Sequence, residues 1–224
     1  MERIPEPELM DGAEQALAYA QADFEEPNSR FVETFVERFG EPEGAMLDLG
    51  CGPADIPLRF ARRAPGLTVT AMDGAAEMIS LGARALSREP ELAGRVQLVC
   101  STLQRLELPA ASYDAVVSNS LLHHLAEPGP FWQAVRRYAR PGAAVLVMDL
   151  ARPESAVAAQ SIVDTYAAEE PAILREDFYN SLCAAFTPEE VRAQLEAAGL
   201  GALAVEAASD RHWIVSGRLH GVGG

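Results

Sequence analysis

Residues 46–61, MLDLGCGPADIPLRFA, constrain the chain more than any other stretch. An apolar run interrupted only by Asp48 ends in a turn carrying Gly50, Gly52 and Pro53, and an apolar-periodic stretch begins after Asp55. That order reads as strand, tight glycine turn and helix. Glycines at such a junction let the backbone take positive φ and approach a ligand more closely than a side chain would permit. A small ligand is expected beside the turn. The spacing departs from the dinucleotide fingerprint G-x-G-x-x-G, because an acidic residue precedes the first glycine and the third small position is Ala54. Taken alone, a turn packed tightly for structural reasons would read the same way.

Composition narrows the partners. With 33 acidic against 18 basic residues the net charge is −15, so the surface repels phosphate backbones and nucleic acid is not expected. Arg136, Arg137 and Arg140 form the one basic cluster and read as a face of a solvated helix. The chain has no lysine, which excludes Schiff-base chemistry through a lysine amine. Hydrophobic residues are 49% and charged residues 23% of 224, a balance that fits one generous globular domain. Cys51, Cys100 and Cys183 are scattered and odd in number, so neither a disulfide framework nor a zinc spacing is indicated. Glu2, Glu6 and Glu8 stand where a secretory signal would need apolar residues, and no apolar run spans a bilayer. A cytoplasmic protein with no membrane partner is expected.

In chain order, residues 1–40 read as two helices broken at Pro27. The first runs from about Asp11 through Tyr19 to Phe24, and the second, capped near Asn28 or Ser29, buries Phe31, Phe35 and Phe39. Beyond the glycine turn, a strand over 67–72 ends in Asp73-Gly74. A carboxylate at the end of a second parallel strand can accept hydrogen bonds from both hydroxyls of a ribose. Further strands are expected over 96–99, leading into Ser101-Thr102-Leu103, over 113–119, ending at Asn119, and over 143–150, with Asp149 near its end. The SLLHHL segment follows Asn119, a helix covers 131–139, and Pro141-Gly142 turns the chain. A long insertion, 152–186, holds Tyr166, Phe178, Tyr179 and Asn180. Thr187-Pro188-Glu189-Glu190 then has the pattern of a capped helix start. Two closing strands are expected over 203–207 and 212–217.

Asp48-x-Gly50-x-Gly52, Asp73 and SLLHHL, in this order across residues 45–218, resemble the class I S-adenosylmethionine (SAM) dependent methyltransferases. The resemblance implies an α/β, Rossmann-like fold with a seven-stranded, mostly parallel sheet whose last strand is antiparallel. It implies a helical N-terminal cap over 1–40, and a SAM-binding catalytic domain over 41–220 with a helical lid over about 152–186. SAM would be held by Asp48, Gly50, Gly52, Asp73, Gly74, Met78 on the adenine face, Ser101, Thr102, Leu103 and Asn119. Where many family members carry an adenine-binding aspartate, this chain has Ser101. The catalytic candidates are His123, His124, Tyr179 and Asn180. Tyr19, Phe24, Asp149, Tyr166 and Phe178 are expected to contact substrate or cover the sulfonium, where a ring face attracts a cation. Consecutive helical residues point about 100° apart, so the two histidines should not share one site, and without a third ligand in register no metal is expected. The implied reaction passes the SAM methyl group to a small-molecule acceptor, as in secondary metabolism. Two alternatives keep the same fold: closure of SAM's own aminobutyrate chain to azetidine-2-carboxylate with release of methylthioadenosine, and SAM binding without chemistry. The oligomeric state is left open.

Overall fold

Strand β1 (Gly44–Leu49) sends successive side chains to opposite faces, and this alternation divides the interior in two. Met46 joins Phe31, Phe35, Phe60, Val69, Val117 and Leu146 on one side. Leu47 and Leu49 join Val116, Trp132, Tyr138, Val145, Trp213 and Val215 on the other. Each such side chain taken fully out of water contributes roughly 1.5–3 kcal/mol, so both faces of the sheet must be covered.

The computed structural model describes residues 1–6 and 24–219. Its strands are β1, β2 (Leu67–Asp73), β3 (Val96–Cys100), β4 (Tyr113–Asn119), β5 (Ala139–Leu150), β6 (Ala204–Ala207) and β7 (His212–Arg218). They form one sheet in the order β3-β2-β1-β4-β5-β7-β6. The first five strands pair in parallel, and β7 runs antiparallel to both β5 and β6. Six strands thus point one way and the last in sequence points the other, as the family resemblance implies. Strand order reverses between β1 and β4, and in sheets of this kind the crevice outside the carboxyl ends at that point receives ligands.

Helices α1 (Glu25–Phe39), α2 (Asp55–Arg63) and α3 (Ala76–Leu86) cover the Met46 face, and α4 (Gly129–Tyr138) and α7 (Pro188–Ala197) cover the opposite one. Between β5 and α7 the insertion folds into α5 (Ala156–Tyr166) and α6 (Ala172–Ala184), with a small core of Leu150, Ala159, Val163, Ala167, Leu182 and Ala185. The α7 start is as expected: Thr187 Oγ1 accepts from the Glu190 N–H, and the Glu190 carboxylate accepts from the Thr187 N–H at 2.8 Å.

Three local expectations need correction. Pro27 does not break a helix; it sits in the first turn of α1, where its missing N–H would have no intrahelical acceptor anyway. Asn28 and Ser29 consequently do not cap. Asn28 donates to Asp55 at 2.8 Å and Ser29 accepts from Arg59 at 2.7 Å, which fastens α1 to α2. Pro141-Gly142 lies within β5, which follows α4 directly, and a register shift against β4 absorbs the irregularity. The three arginines are not one helix face: Arg136 and Arg137 close α4, whereas Arg140 is in β5, paired with Asp114. The three cysteines are free, and among the described residues no helix is long and apolar enough to cross a membrane. The expected first helix and Tyr19 lie outside the described residues.

Candidate active site

The turn after β1 is held by β2. The N–H groups of Gly50 and Cys51 both donate to the Met72 carbonyl at 2.9 Å. Asp73 completes the brace: one carboxylate oxygen accepts from the Gly52 N–H and the other from the Ala75 N–H, each at 2.8 Å. The carboxylate expected to wait for a ribose therefore also joins the first βα turn to the second. Each oxygen keeps lone-pair capacity for a ligand hydroxyl. Burial pushes the Asp73 carboxyl above its ordinary range against the pull of these N–H groups.

The two glycines serve different ends. Gly50 has φ +76°, and a Cβ there would lie 2.8 Å from Leu121 Cβ, so the fold itself requires it. Gly52 has φ +51°, and nothing lies within 4 Å of a Cβ placed on it, so it faces open space. Ala54, at the third small position, takes φ +67° as the residue before α2, a conformation that costs a non-glycine residue about 1–2 kcal/mol. Gly50→Ala is accordingly expected to destabilise the fold by about 3 kcal/mol, through strain and overpacking. Gly52→Ala should cost about 1 kcal/mol of stability while weakening SAM about tenfold or more, because its methyl enters the open space. Denaturant unfolding and calorimetric SAM titration of both variants check this; equal SAM affinity in Gly52→Ala and wild type would place the cofactor elsewhere.

Asp48 and Asn119 supply the crevice with unspent acceptors. Asp48 is only 2% exposed, yet among the described residues its Oδ2 has no hydrogen-bond partner, and neither does the buried Oδ1 of Asn119. Strand alternation puts both on the Met46 face at the carboxyl ends of neighbouring strands. Burial, and then the neighbouring Asp73 charge, push the Asp48 carboxyl up to about 8. Buried acceptors without donors call for a ligand carrying donors or positive charge. SAM fits that demand with an ammonium group and a sulfonium.

The remaining cofactor candidates follow the same edge. Ser101 donates its N–H to the Asp73 carbonyl at 2.9 Å, and Ser101, Thr102 and Leu103 are half-buried just past β3. Gly74 is half-buried beside Asp73, and Met78 is buried in a small cluster with Ala75 and Leu81, apart from the two main cores.

A second constellation forms past β4 and β5. His123 is 4% exposed; its Nδ1 lies 2.5 Å from Asp149 Oδ1, and its backbone N–H donates to the other carboxylate oxygen at 3.2 Å. His123 and His124 stand in a 3₁₀ turn (Leu122–His124), with ring centroids 4.1 Å apart at 36°. Contrary to the expectation from helix geometry, both rings reach one group: Glu6 Oε1 is 3.6 Å from His123 Nε2 and 3.1 Å from His124 Nδ1. The turn is too short to impose helical divergence on two-torsion side chains. Burial alone would depress the His123 pKa, but the Asp149 carboxylate outweighs it and the net shift is upward. Burial opposes ionisation of Asp149 and Glu6 too, yet their imidazole and hydrogen-bond partners hold both below the usual carboxylate range.

Glu6 arrives on a strap that the sequence did not reveal. Arg3 donates to the carbonyls of His123, Leu125 and Ala184 at 2.9, 2.8 and 2.5 Å and lies over the Phe186 ring, while Ile4 donates to the Cys183 carbonyl. Ser181 of α6 donates to Glu6 at 3.1 Å. Residues 1–6 thus tie the insertion to the histidine turn. No local pattern near Glu6 signals this, because its partners are more than a hundred residues away.

Of the other described candidates, the structure brings Asp149 to this constellation and places the rest apart from it. Asp149, expected to meet substrate, is 1% exposed beneath the His123 ring and orients that ring. Phe178 and Tyr179 are half-buried against the core of the insertion, Asn180 is exposed on α6, and Phe24 is half-buried before α1. Tyr166, expected over the crevice, instead donates its hydroxyl to Asp210 at 2.7 Å with Arg211 across its ring, at the β6–β7 turn.

A methyltransferase domain family model matches residues 47–147. An uncharacterized methyltransferase of Mycobacterium tuberculosis is 31% identical over 108 residues, 48% of this chain and 51% of the relative. The mitochondrial ubiquinone biosynthesis O-methyltransferase of Schizosaccharomyces pombe is 27% identical over 121 residues, 54% of this chain and 43% of the relative. The match thus spans about half the length of these curated relatives. Among solved structures, a SAM-dependent methyltransferase from Aquifex aeolicus superposes with a TM-score of 0.65 at 19% identity, covering 92% of this chain and 98% of its own. A Haemonchus contortus phosphoethanolamine N-methyltransferase, with phosphomonomethylethanolamine and S-adenosylhomocysteine bound, superposes with a TM-score of 0.68 at 14% identity, covering 95% and 58%. Residues 47–147, which contain the glycine turn and the end of β4, thus match a methyltransferase domain, and the chain shares the fold of solved SAM-dependent methyltransferases along almost its whole length.

Proposed function

We propose that this chain transfers the methyl group of SAM to a nucleophilic oxygen or nitrogen of a small molecule. The observation that carries the reading is the pair of buried acceptor oxygens, on Asp48 and Asn119, that find no donor among the described residues, beside a glycine turn open to a ligand. Bound there, SAM supplies a methyl group already activated by a sulfonium. The chain's own residues do the rest. Asp48 and Asn119 accept from the cationic amino-acid end, Asp73 accepts from the ribose hydroxyls, and Met78 packs on the adenine. Positioning carries most of the rate, since in-line alignment of two bound reactants can supply several kcal/mol. The proton of the acceptor passes to the Glu6–His124 pair, which stands at the same sheet edge, while His123 is sealed between Asp149 and Glu6 and positions the pair.

A small acceptor fits for two reasons. The histidine turn lies beneath α6 and the 1–6 strap, and the net charge of −15 disfavours a polyanion. Of the similar proteins, one is an O-methyltransferase of ubiquinone biosynthesis and another, an N-methyltransferase, holds phosphomonomethylethanolamine, a small molecule. Incubation with SAM alone and then with candidate acceptors, every product identified by mass, tests this. S-adenosylhomocysteine formed only when an acceptor is present is the expected result. Methylthioadenosine and azetidine-2-carboxylate formed from SAM alone would overturn the reading in favour of cyclisation, and SAM bound but unchanged with every acceptor would favour a binding module.

A further inference from the structure

We propose that Glu6, His123 and His124 form a binding site for one divalent ion of the zinc class. A carboxylate oxygen of Glu6, Nε2 of His123 and Nδ1 of His124 all lie within 4.8 Å of one another. Ligands held at about 2.0–2.1 Å by one tetrahedral centre stand about 3.3–3.4 Å apart. The separations from Glu6, 3.6 and 3.1 Å, straddle that edge.

Left empty, the cluster is poorly satisfied. His123 donates through Nδ1 to Asp149, so in the neutral ring the Nε2 lone pair faces a carboxylate oxygen, and 3.6 Å is too long for a hydrogen bond across that gap. His124 Nδ1 is buried 3.1 Å from Glu6, yet it has no well-aligned hydrogen bond to Glu6 or to any other of the described residues. A cation between the three donors turns both faults into bonds. The surroundings are those of a metal site: Asp149 fixes the tautomer and orientation of His123, and Ser181 donates to Glu6. Two imidazoles and one carboxylate suit zinc or cobalt better than calcium or magnesium, which prefer oxygen alone. Three protein ligands leave a position open, and a water or acceptor hydroxyl bound there becomes more acidic. The site uses the cluster described above but rests on its geometry and not on the reaction proposed for it; with a cation held by Glu6, His123 and His124, the cation itself lowers the pKa of a bound hydroxyl, whose proton leaves to solvent instead of to the Glu6–His124 pair.

The test is chelator-stripped, full-length protein titrated with zinc by calorimetry and with cobalt by visible absorption, without reference to turnover. One equivalent should bind, with the intense cobalt bands of a tetrahedral site. Glu6→Gln and His124→Asn should each weaken binding by more than about 100-fold, beyond the 10–100-fold that outer-shell partners command. Cys100→Ser, which removes the exposed thiol, should change nothing. Circular dichroism shows that the variants remain folded, and the wild-type cobalt spectrum decides by itself should one of them not. Absence of stoichiometric uptake by the wild type, loss of the ion in Cys100→Ser, or undiminished binding in folded Glu6→Gln would each overturn the site.

Discussion

Asp149→Ala is expected to destabilise the fold by about 3–5 kcal/mol, the range for removing one partner of a buried ionic pair. Asp149 accepts from three donors: the His123 ring at 2.5 Å, the His123 N–H at 3.2 Å and the Leu150 N–H at 2.7 Å. Alanine leaves all three in a space where Asp149 is 1% exposed, with little room for compensating water. For a chain of this size the change corresponds to a melting temperature lower by about 10 °C. Asp149→Asn keeps an acceptor oxygen in place and should recover part of the loss. Differential scanning calorimetry of the three proteins measures it. A melting temperature for Asp149→Ala within about 2 °C of wild type would mean that the pair does not hold the histidine turn in place.

Asp48→Asn should act in the opposite direction on stability. Burial raises the folded-state pKa of Asp48 to about 8, so between about pH 4 and 8 the folded chain keeps a proton that the unfolded chain has released. Stability then falls as pH rises through that window, by up to about 1.4 kcal/mol per pH unit for this group. Asparagine cannot ionise. The variant should match wild type near pH 4 and exceed it by several kcal/mol at pH 8, after allowance for relaxation around the charge. The same substitution should weaken SAM, because the cationic end of the cofactor loses its buried counter-charge. On the proposed seat, wild type should release a proton on binding SAM below pH 8, and its affinity should rise with pH up to that point. Denaturant melts at pH 5 and 8 and titrations in buffers of different ionisation enthalpy measure both effects. A wild-type and variant pair with parallel pH profiles would remove Asp48 from this role.

What could be read in the sequence was what sequence-local physics determines. The strand, glycine turn and helix from β1 to α2 depend on residues within a few positions of one another, as does the Thr187–Glu190 cap, and both formed as the pattern implied. The place of Asp73 at the end of β2 was legible because the βαβ unit fixes where a second strand ends. Pro27 misled because its two readings, breaker and first-turn residue, differ only in where the tertiary contacts of Asn28 and Ser29 lie. The Glu6–His123–His124–Asp149 constellation was half legible. The histidines stood out, but their convergence depends on a short 3₁₀ turn and on a carboxylate delivered from the opposite end of the chain. Tyr166 was drawn off by Asp210 and Arg211, partners in the β6–β7 turn beside the carboxyl end of β5.

The central claim is that SAM lies across the ends of β1 and β2, with its ribose on Asp73. Calorimetric titration of SAM into wild type and into Asp73→Ala, with folded fractions established beforehand, tests it most directly. Each charge-assisted hydrogen bond is worth roughly 1.5–3 kcal/mol, so saturable one-to-one binding by wild type and a loss of about tenfold or more in the folded variant are expected. Equal affinity in the two proteins, or no binding of SAM by wild type, would contradict the account.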